Sequence, residues 1–233
     1  MQILSKNLFN SEMTKHLKKI YLILLFAILL SSCASLPPVE RYPEREGYII
    51  ASWYGKDFHG RPTSSGERFD MYGLTAAHKT MDFGARLRVT NPDNDKSVEV
   101  IVNDRGPFVG GRDLDLSYGA AKEIGFDLKG VGAVRIERIG REMRYAKRVE
   151  FAPSLTAGAL TIQIGAFIEQ ANAYRLKQGL ELKYSNVYIT TFLKDGQKFY
   201  RVRIGEFKER ESALSLAEQL AQEGYSTLIT VKD

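Results

Sequence analysis

Polar side chains able to move protons or grip a ligand crowd into four stretches of this 233-residue chain. They are Phe58-His59-Gly60-Arg61-Pro62-Thr63-Ser64-Ser65-Gly66-Glu67-Arg68-Phe69-Asp70, Leu74-Thr75-Ala76-Ala77-His78, Val102-Asn103-Asp104-Arg105-Gly106-Pro107-Phe108, and Arg112-Asp113-Leu114-Asp115-Leu116-Ser117. Asp104 stands out, because it follows a run of apolar strand-type residues and precedes a Gly-Pro turn. A carboxyl group at a strand end, half-buried by its neighbours, can be tuned into the range of a general acid. The competing reading is local: Asn103 and Asp104 make the turn and Asp104 pairs with Arg105. For His59 a loop hydrogen bond competes with a ligand contact, and Asp70, Asp113 and Asp115 read as turn and ion-pair residues. Trp53 and Tyr54 offer flat rings for stacking, but aromatic residues on a first strand also serve as core.

The elements that would hold these groups are short. Apolar or alternating runs at 49–54, 86–90, 97–102 and 134–139 suit strands, and Asn91-Pro92-Asp93-Asn94-Asp95-Lys96 is a hairpin connection rich in turn formers. Residues 118–124 read as one short helix, capped by Ser117 and ended near Gly125. About ninety-five residues of this kind, from 46 to 140, describe a small barrel. A basic stretch from Arg141 to Arg148 and a Pro-Ser-Leu-Thr-Ala-Gly run follow, where periodicity fades, so 141–157 is read as a linker.

The remainder, 158–233, repeats itself at a spacing of forty. Ile162-Gln163-Ile164-Gly165-Ala166-Phe167 aligns with Val202-Arg203-Ile204-Gly205-Glu206-Phe207, and the match runs on through Ala173/Ala213, Leu176/Leu216 and Leu180/Leu220. One strand, turn and amphipathic helix built twice gives β-α-β-β-α-β, the ferredoxin-like arrangement. Lys194-Asp195-Gly196-Gln197 makes the central hairpin. Two helices cover one face of the sheet and leave the other open. Alternation puts Gln163 and Arg203 together on that open face, with Tyr188 and Tyr200 as expected neighbours, all four candidates for ligand contact.

Composition narrows the function further. The chain is 44% hydrophobic and 26% charged, which excludes a mainly disordered or polytopic membrane protein. One cysteine and three histidines make neither a disulfide nor a Cys-based metal site, and no cofactor is implied. The front of the chain reads Met13-Thr14-Lys15-His16-Leu17-Lys18-Lys19, then an apolar run from Ile20 to Leu30, then Ser31-Ser32-Cys33. A basic start, a short apolar core and small residues describe an export signal over 1–32, too short to span a bilayer, with Met13 as an alternative start. Removing it takes away Lys6, Lys15, Lys18, Lys19 and Glu12, and the side-chain charge falls from +5 to +2. A nearly neutral exported body loses the main support for nucleic acid as a partner. Pro37, Pro38 and Pro43 mark 33–45 as a tether.

Two resemblances carry this reading further. Leu30-Ser31-Ser32-Cys33 resembles a bacterial lipobox, which implies that Cys33 is lipidated and becomes the mature N-terminus, with Ala34 rather than Asp directing it to the outer membrane. Ala51-Ser52-Trp53-Tyr54-Gly55, Ser65-Gly66-Glu67, Leu74-Thr75-Ala76-Ala77-His78, Val102-Asn103-Asp104-Arg105-Gly106-Pro107-Phe108 and Asp115-Leu116-Ser117 resemble the rare lipoprotein A (RlpA) family, and the Gln163-Ile164-Gly165-Ala166-Phe167 strand resembles that family's SPOR domain. The resemblance implies a mainly β plus α+β protein, a six-stranded double-psi β-barrel followed by the SPOR domain.

It also implies an endolytic lytic transglycosylase that cuts between N-acetylmuramic acid and N-acetylglucosamine and leaves 1,6-anhydro ends, acting on strands stripped of stem peptides. Asp104 would be the acid and base, Glu67 and His78 its companions in substrate orientation and tuning. Gln163, Arg203, Tyr188, Tyr200 and Arg105 would touch substrate. The implied place is the cell envelope, facing the periplasm at the division septum among division-site proteins. The rival is a non-catalytic, expansin-like wall binder or division-site scaffold.

Overall fold

The computed structural model describes residues 47–153, 155 and 158–232, so the export signal, Cys33 and the tether lie outside the described residues. The first part is a closed barrel of six strands, β1 (Tyr48–Tyr54), β2 (Thr75–His78), β3 (Ala85–Thr90), β4 (Ser97–Asp104), β5 (Leu114–Ser117) and β6 (Val131–Arg141). Around the barrel they run β1-β5-β2-β4-β3-β6 and close again on β1. Two pairs are parallel, β1 with β5 and β2 with β4, and the others are antiparallel. The expected strands are all present. β2 and β5 are additions, four residues each and too short to show a period, and their backbone pairing completes the ring.

Alternation explains the interior. Val98, Val100 and Val102 of β4 point inward with Leu87, Val89, Leu114, Leu116 and Val134, each buried, while Glu99 stays outside and takes a hydrogen bond from Arg86 at 2.8 Å. At its C-terminal end β4 stops alternating: Val102, Asn103 and Asp104 are all buried. A strand that carries polar side chains into the interior has been positioned for more than packing. The helix α1 (Tyr118–Glu123) begins on Ser117, whose hydroxyl accepts from the amide of Ala120, and closes near Gly125 at a φ of +62°.

The second part is β8 (Leu160–Phe167), α2 (Gln170–Glu181), β9 (Val187–Lys194), β10 (Gln197–Phe207), α3 (Arg210–Gln222) and β11 (Thr227–Val231), in the β-α-β-β-α-β order read from the repeat. Ile162, Ile164, Val202, Ile204 and Ile229 pack against Ala173, Leu176, Leu180, Ala213, Ala217 and Leu220 of the helices. The repeated glycine has a physical reason at Gly205, where φ is +76° and a Cβ would lie 2.3 Å from the Phe207 ring.

Residues 141–157, read as a linker, are more structured than expected. Met143–Tyr145 form a 3-10 turn, and β7 (Val149–Phe151) adds a fifth strand, giving the sheet order β7-β11-β8-β10-β9. A three-residue strand held by parallel pairing to β11 leaves no period for sequence to display. Tyr145 and Phe83 enter the same hydrophobic cluster as the second domain's core, and the amide of Phe83 donates to the carbonyl of Glu223 at 3.0 Å. Barrel and second domain are thus packed together as one body. Among the described residues no helix is long and apolar enough to cross a membrane.

Candidate active site

The buried end of β4 opens into a cavity of about 520 Å³ whose walls come from both domains. Trp53, Tyr54, Asp104 and Asp115 line it from the barrel, and Arg175 and Gln178 reach it from α2. Asp104 is 3% exposed. Its Oδ1 accepts two backbone hydrogen bonds, from the amides of Ser64 and Arg105, each 2.8 Å. Two donors on one oxygen fix the side-chain rotamer and leave Oδ2 for another partner. The local reading of a simple turn pair with Arg105 is replaced by this arrangement, because the Arg105 side chain goes elsewhere.

Arg105, expected to touch substrate, does line the cavity, but its guanidinium is engaged within the protein. Its side chain is 2% exposed, its Cζ lies 3.8 Å from the centre of the Phe83 ring, and its Nε donates to the hydroxyl of Tyr225 at 2.9 Å. Nη1 donates to the carbonyl of His78 at 3.4 Å. Gly179 of α2 permits the approach, since a Cβ there would come within 2.8 Å of the Arg105 Cδ. The guanidinium is thus enclosed, while the Arg105 amide holds the neighbouring Asp104.

Glu67 and His78 flank Asp104 without lining the cavity. Glu67 Oε2 accepts from Asn103 Nδ2 at 2.9 Å and from the Tyr145 hydroxyl at 2.6 Å. Burial and then the Glu67 carboxylate push the Tyr145 phenol well up. His78 Nδ1 accepts from the amides of Thr80 and Met81 at 3.1 and 3.0 Å. That pattern places the imidazole proton on Nε2. Burial, followed by the Arg105 charge, holds the His78 pKa down to about 4. At neutral pH it is an uncharged donor.

Asp115, read from sequence as a turn or ion-pair residue, lines the cavity beside Asp104. Ser52 Oγ donates to it, Arg112 Nη2 stands 4.0 Å away, and burial raises its carboxyl above the ordinary range. The signal that could have found it is the Asp-Leu-Ser word on an inward-facing four-residue strand. Trp53 and Tyr54 face the cavity and also make contacts within the barrel. Trp53 Nε1 donates to the carbonyl of Asp127 and Tyr54 stacks on Phe69 at 4.1 Å. His59 accepts from the amide of Met71 in an exposed loop, and Asp113 pairs with Lys79.

On the second domain, register places Arg203 opposite both Gln163 and Tyr188, so these three share the face away from the helices, but Arg203 is only 2% exposed and the expected open position for it is not found. Tyr200 does not join them. It is three positions from Arg203, an odd step that turns it to the other face, and its ring packs on the helix-covered core. Gln163 lines a second cavity, of about 400 Å³, together with Ser64 and Ser65, from the same loop whose amide holds Asp104. Among the described residues no group of three or more His, Cys, Asp or Glu side chains is arranged to hold a metal ion.

This combination of a six-stranded barrel, parallel β1·β5 and β2·β4 pairs and a repeat-built α+β domain defines a double-psi barrel joined to a SPOR domain. Residues 48–136 match the family described as lytic transglycolase, and residues 156–230 match the SPOR domain. The endolytic peptidoglycan transglycosylase RlpA of Vibrio cholerae is 38% identical over 177 residues, 76% of this chain and 65% of its own length. Its counterpart from Pseudomonas aeruginosa is 50% identical over 107 residues, 46% of this chain and 31% of its own. That of Neisseria meningitidis serogroup A is 41% identical over 165 residues, 70% of this chain and 66% of its own. The chain thus spans about two thirds or less of the curated relatives it matches. It belongs to the RlpA family.

Proposed function

We propose that this protein is an endolytic lytic transglycosylase of peptidoglycan with Asp104 as its single acid and base. The observation that carries the reading is Asp104 itself, a carboxyl group at the floor of a cavity with one oxygen held by two backbone amides and the other available. In the proposed reaction Asp104 gives its proton to the oxygen between N-acetylmuramic acid and N-acetylglucosamine as the C1–O bond breaks. The C6 hydroxyl of the same muramyl sugar then attacks C1, and its proton passes to the Asp104 carboxylate. The 1,6-anhydro ring forms, no water is consumed, and Asp104 returns to its starting state. Glu67 holds Asn103, and His78 holds Arg105 through its carbonyl, so both act on Asp104 through its chain neighbours.

The SPOR domain supports binding to peptidoglycan, and the reading extends to strands stripped of stem peptides. Gln163 and Tyr188 are the proposed contacts on the face away from the helices; Arg203 shares that face but, at 2% exposure, is not proposed to touch the strand. A strand held near Gln163 would pass the Ser64–Ser65 loop, which lines the second cavity and whose Ser64 amide holds Asp104. Export, a lipid on Cys33, outer-membrane retention facing the periplasm and enrichment at the septum complete the proposal.

The test is to incubate the full chain with purified sacculi and with amidase-stripped glycan strands, and to identify products by mass spectrometry. Anhydro-muramyl ends are expected from the parent protein and reduced by about 10²-fold or more in Asp104→Asn. Binding with no new ends from the parent protein would make it a non-catalytic wall binder instead. Gln163→Ala should weaken retention on stripped glycan, and unchanged retention would remove that residue from the binding face.

A further inference from the structure

The cavity holds charge of both signs. Protonating a glycosidic oxygen calls for the carboxyl groups, but nothing in that step, and nothing in a neutral sugar ring, calls for a guanidinium. Yet besides Arg105, whose guanidinium is engaged by Phe83 and Tyr225, two further arginines line the same cavity, Arg112 from the barrel and Arg175 from α2 of the SPOR domain. Arg175 is anchored at one end only. Its Nη2 donates to the buried Asn172 and its Cζ lies 5.3 Å from the Phe58 ring centre, while its Nε is buried without a partner. Arg112 likewise keeps a buried Nε without a partner, and its approach to Asp115, at 4.0 Å, is long for a hydrogen-bonded pair. The Tyr54 hydroxyl between the acidic and basic walls is a third buried polar group with no partner. Buried donors left unpaired are costly, and an anion entering the cavity would satisfy them together.

We propose that Arg175 and Arg112 form a carboxylate-binding subsite in the cleft, and that its ligand is the free lactyl carboxylate of a muramyl residue whose stem peptide has been removed. The inference rests on the peptidoglycan reading above and gives it a mechanism of substrate choice. A stem peptide is joined to the lactyl group as an amide, which cancels the charge and adds bulk at the same point. An arginine pair that reads the carboxylate therefore selects stripped strands at the place of cutting, independently of the SPOR sheet face. Because Arg175 belongs to α2, the SPOR domain supplies part of the barrel's substrate site. Asn172 is its positioning residue.

Trp53 is the chain's one tryptophan and lines this cavity, so its emission reports occupancy of the cleft alone, whether or not bonds are cut. The full chain carrying Asp104→Asn is titrated with short stripped glycan fragments, either with free lactyl carboxylates or with the same groups converted to methylamides. The free acid is expected to bind about tenfold more tightly, and Arg175→Gln should bring that ratio close to one, with Arg175→Lys between. The same ratio is expected in the rate of anhydro-end formation by protein with Asp104 intact. Equal affinity for acid and amide in the parent, or an undiminished ratio in Arg175→Gln, would overturn the subsite. Absence of cleavage with the Trp53 ratio intact would overturn the enzymatic reading and leave the subsite standing.

Discussion

Arg105 Nε donates to the hydroxyl of Tyr225 at 2.9 Å, across 120 positions of sequence and from one domain to the other. The Arg105 amide meanwhile donates to Asp104. One residue therefore joins the proposed acid to the core of the SPOR domain, and Phe83 completes the contact with its ring 5.0 Å from that of Tyr225. In this chain the second domain is a support for the first.

Removing only the Tyr225 hydroxyl tests that support. Tyr225→Phe keeps the ring against Phe83 and leaves Arg105 Nε unpaired in the interior, which costs about 1–3 kcal/mol. Urea unfolding should show that loss, and the rate of anhydro-end formation should fall severalfold, because the strand end carrying Asp104 is less firmly held. A variant with unchanged stability and rate would mean that the hydroxyl bond does not brace the site.

His78 sets an acid limit. Its folded pKa is about 4 against an ordinary 6.5, with burial as the main cause, the charges of Arg105 and Lys79 acting in the same direction and Asp113 opposing. The unfolded chain binds the extra proton more readily, so the stability linked to His78 is present above pH 6.5 and is lost as pH falls toward 4. The shift corresponds to about 3 kcal/mol at most. His78→Asn retains an acceptor for the amides of Thr80 and Met81 but does not titrate there. Unfolding free energies at pH 7, 6, 5 and 4.5 should therefore fall more steeply in the parent than in the variant, and parallel slopes would show that His78 is not the source.

The parts of this molecule legible in sequence are those that local spacing controls. Forty-residue repetition gave the SPOR strands and helices, and Asp195-Gly196 gave their central hairpin, where both residues take positive φ. Apolar runs followed by Asn103-Asp104 pointed to the acid. Spacing says which face a side chain takes but not what arrives from a distant segment, so the Tyr225 contact to Arg105, the Tyr145 contact to Glu67 and the entry of Arg175 into the cleft were not legible. Tyr200 shows the limit of grouping by residue type, since an odd step from Arg203 had already placed it on the opposite face. For Asp115 the type was read as a turn and ion-pair residue, and only closure of the barrel brings it to the cavity beside Asp104.

Asp115 offers the sharpest separation of structural from functional purpose. Burial raises its carboxyl, with the Asp104 charge adding to the effect and Ser52 and Arg112 opposing it. An acid whose folded pKa lies above its unfolded one contributes stability at low pH that disappears as pH rises through the folded value. At neutral pH the native state therefore carries a penalty, which Asp115→Asn removes while keeping the side chain's size. The variant should melt at a higher temperature than the parent at pH 7, and the gap should close at acid pH, where Asp115 is protonated. Its rate of anhydro-end formation should nevertheless fall by about tenfold or more, because a carboxylate in the cavity stabilises the positive charge that develops on the sugar during cleavage. A residue kept only for the fold would give the opposite pattern, a lower melting temperature with the rate intact, and calorimetry at two pH values beside one product assay tells the two apart.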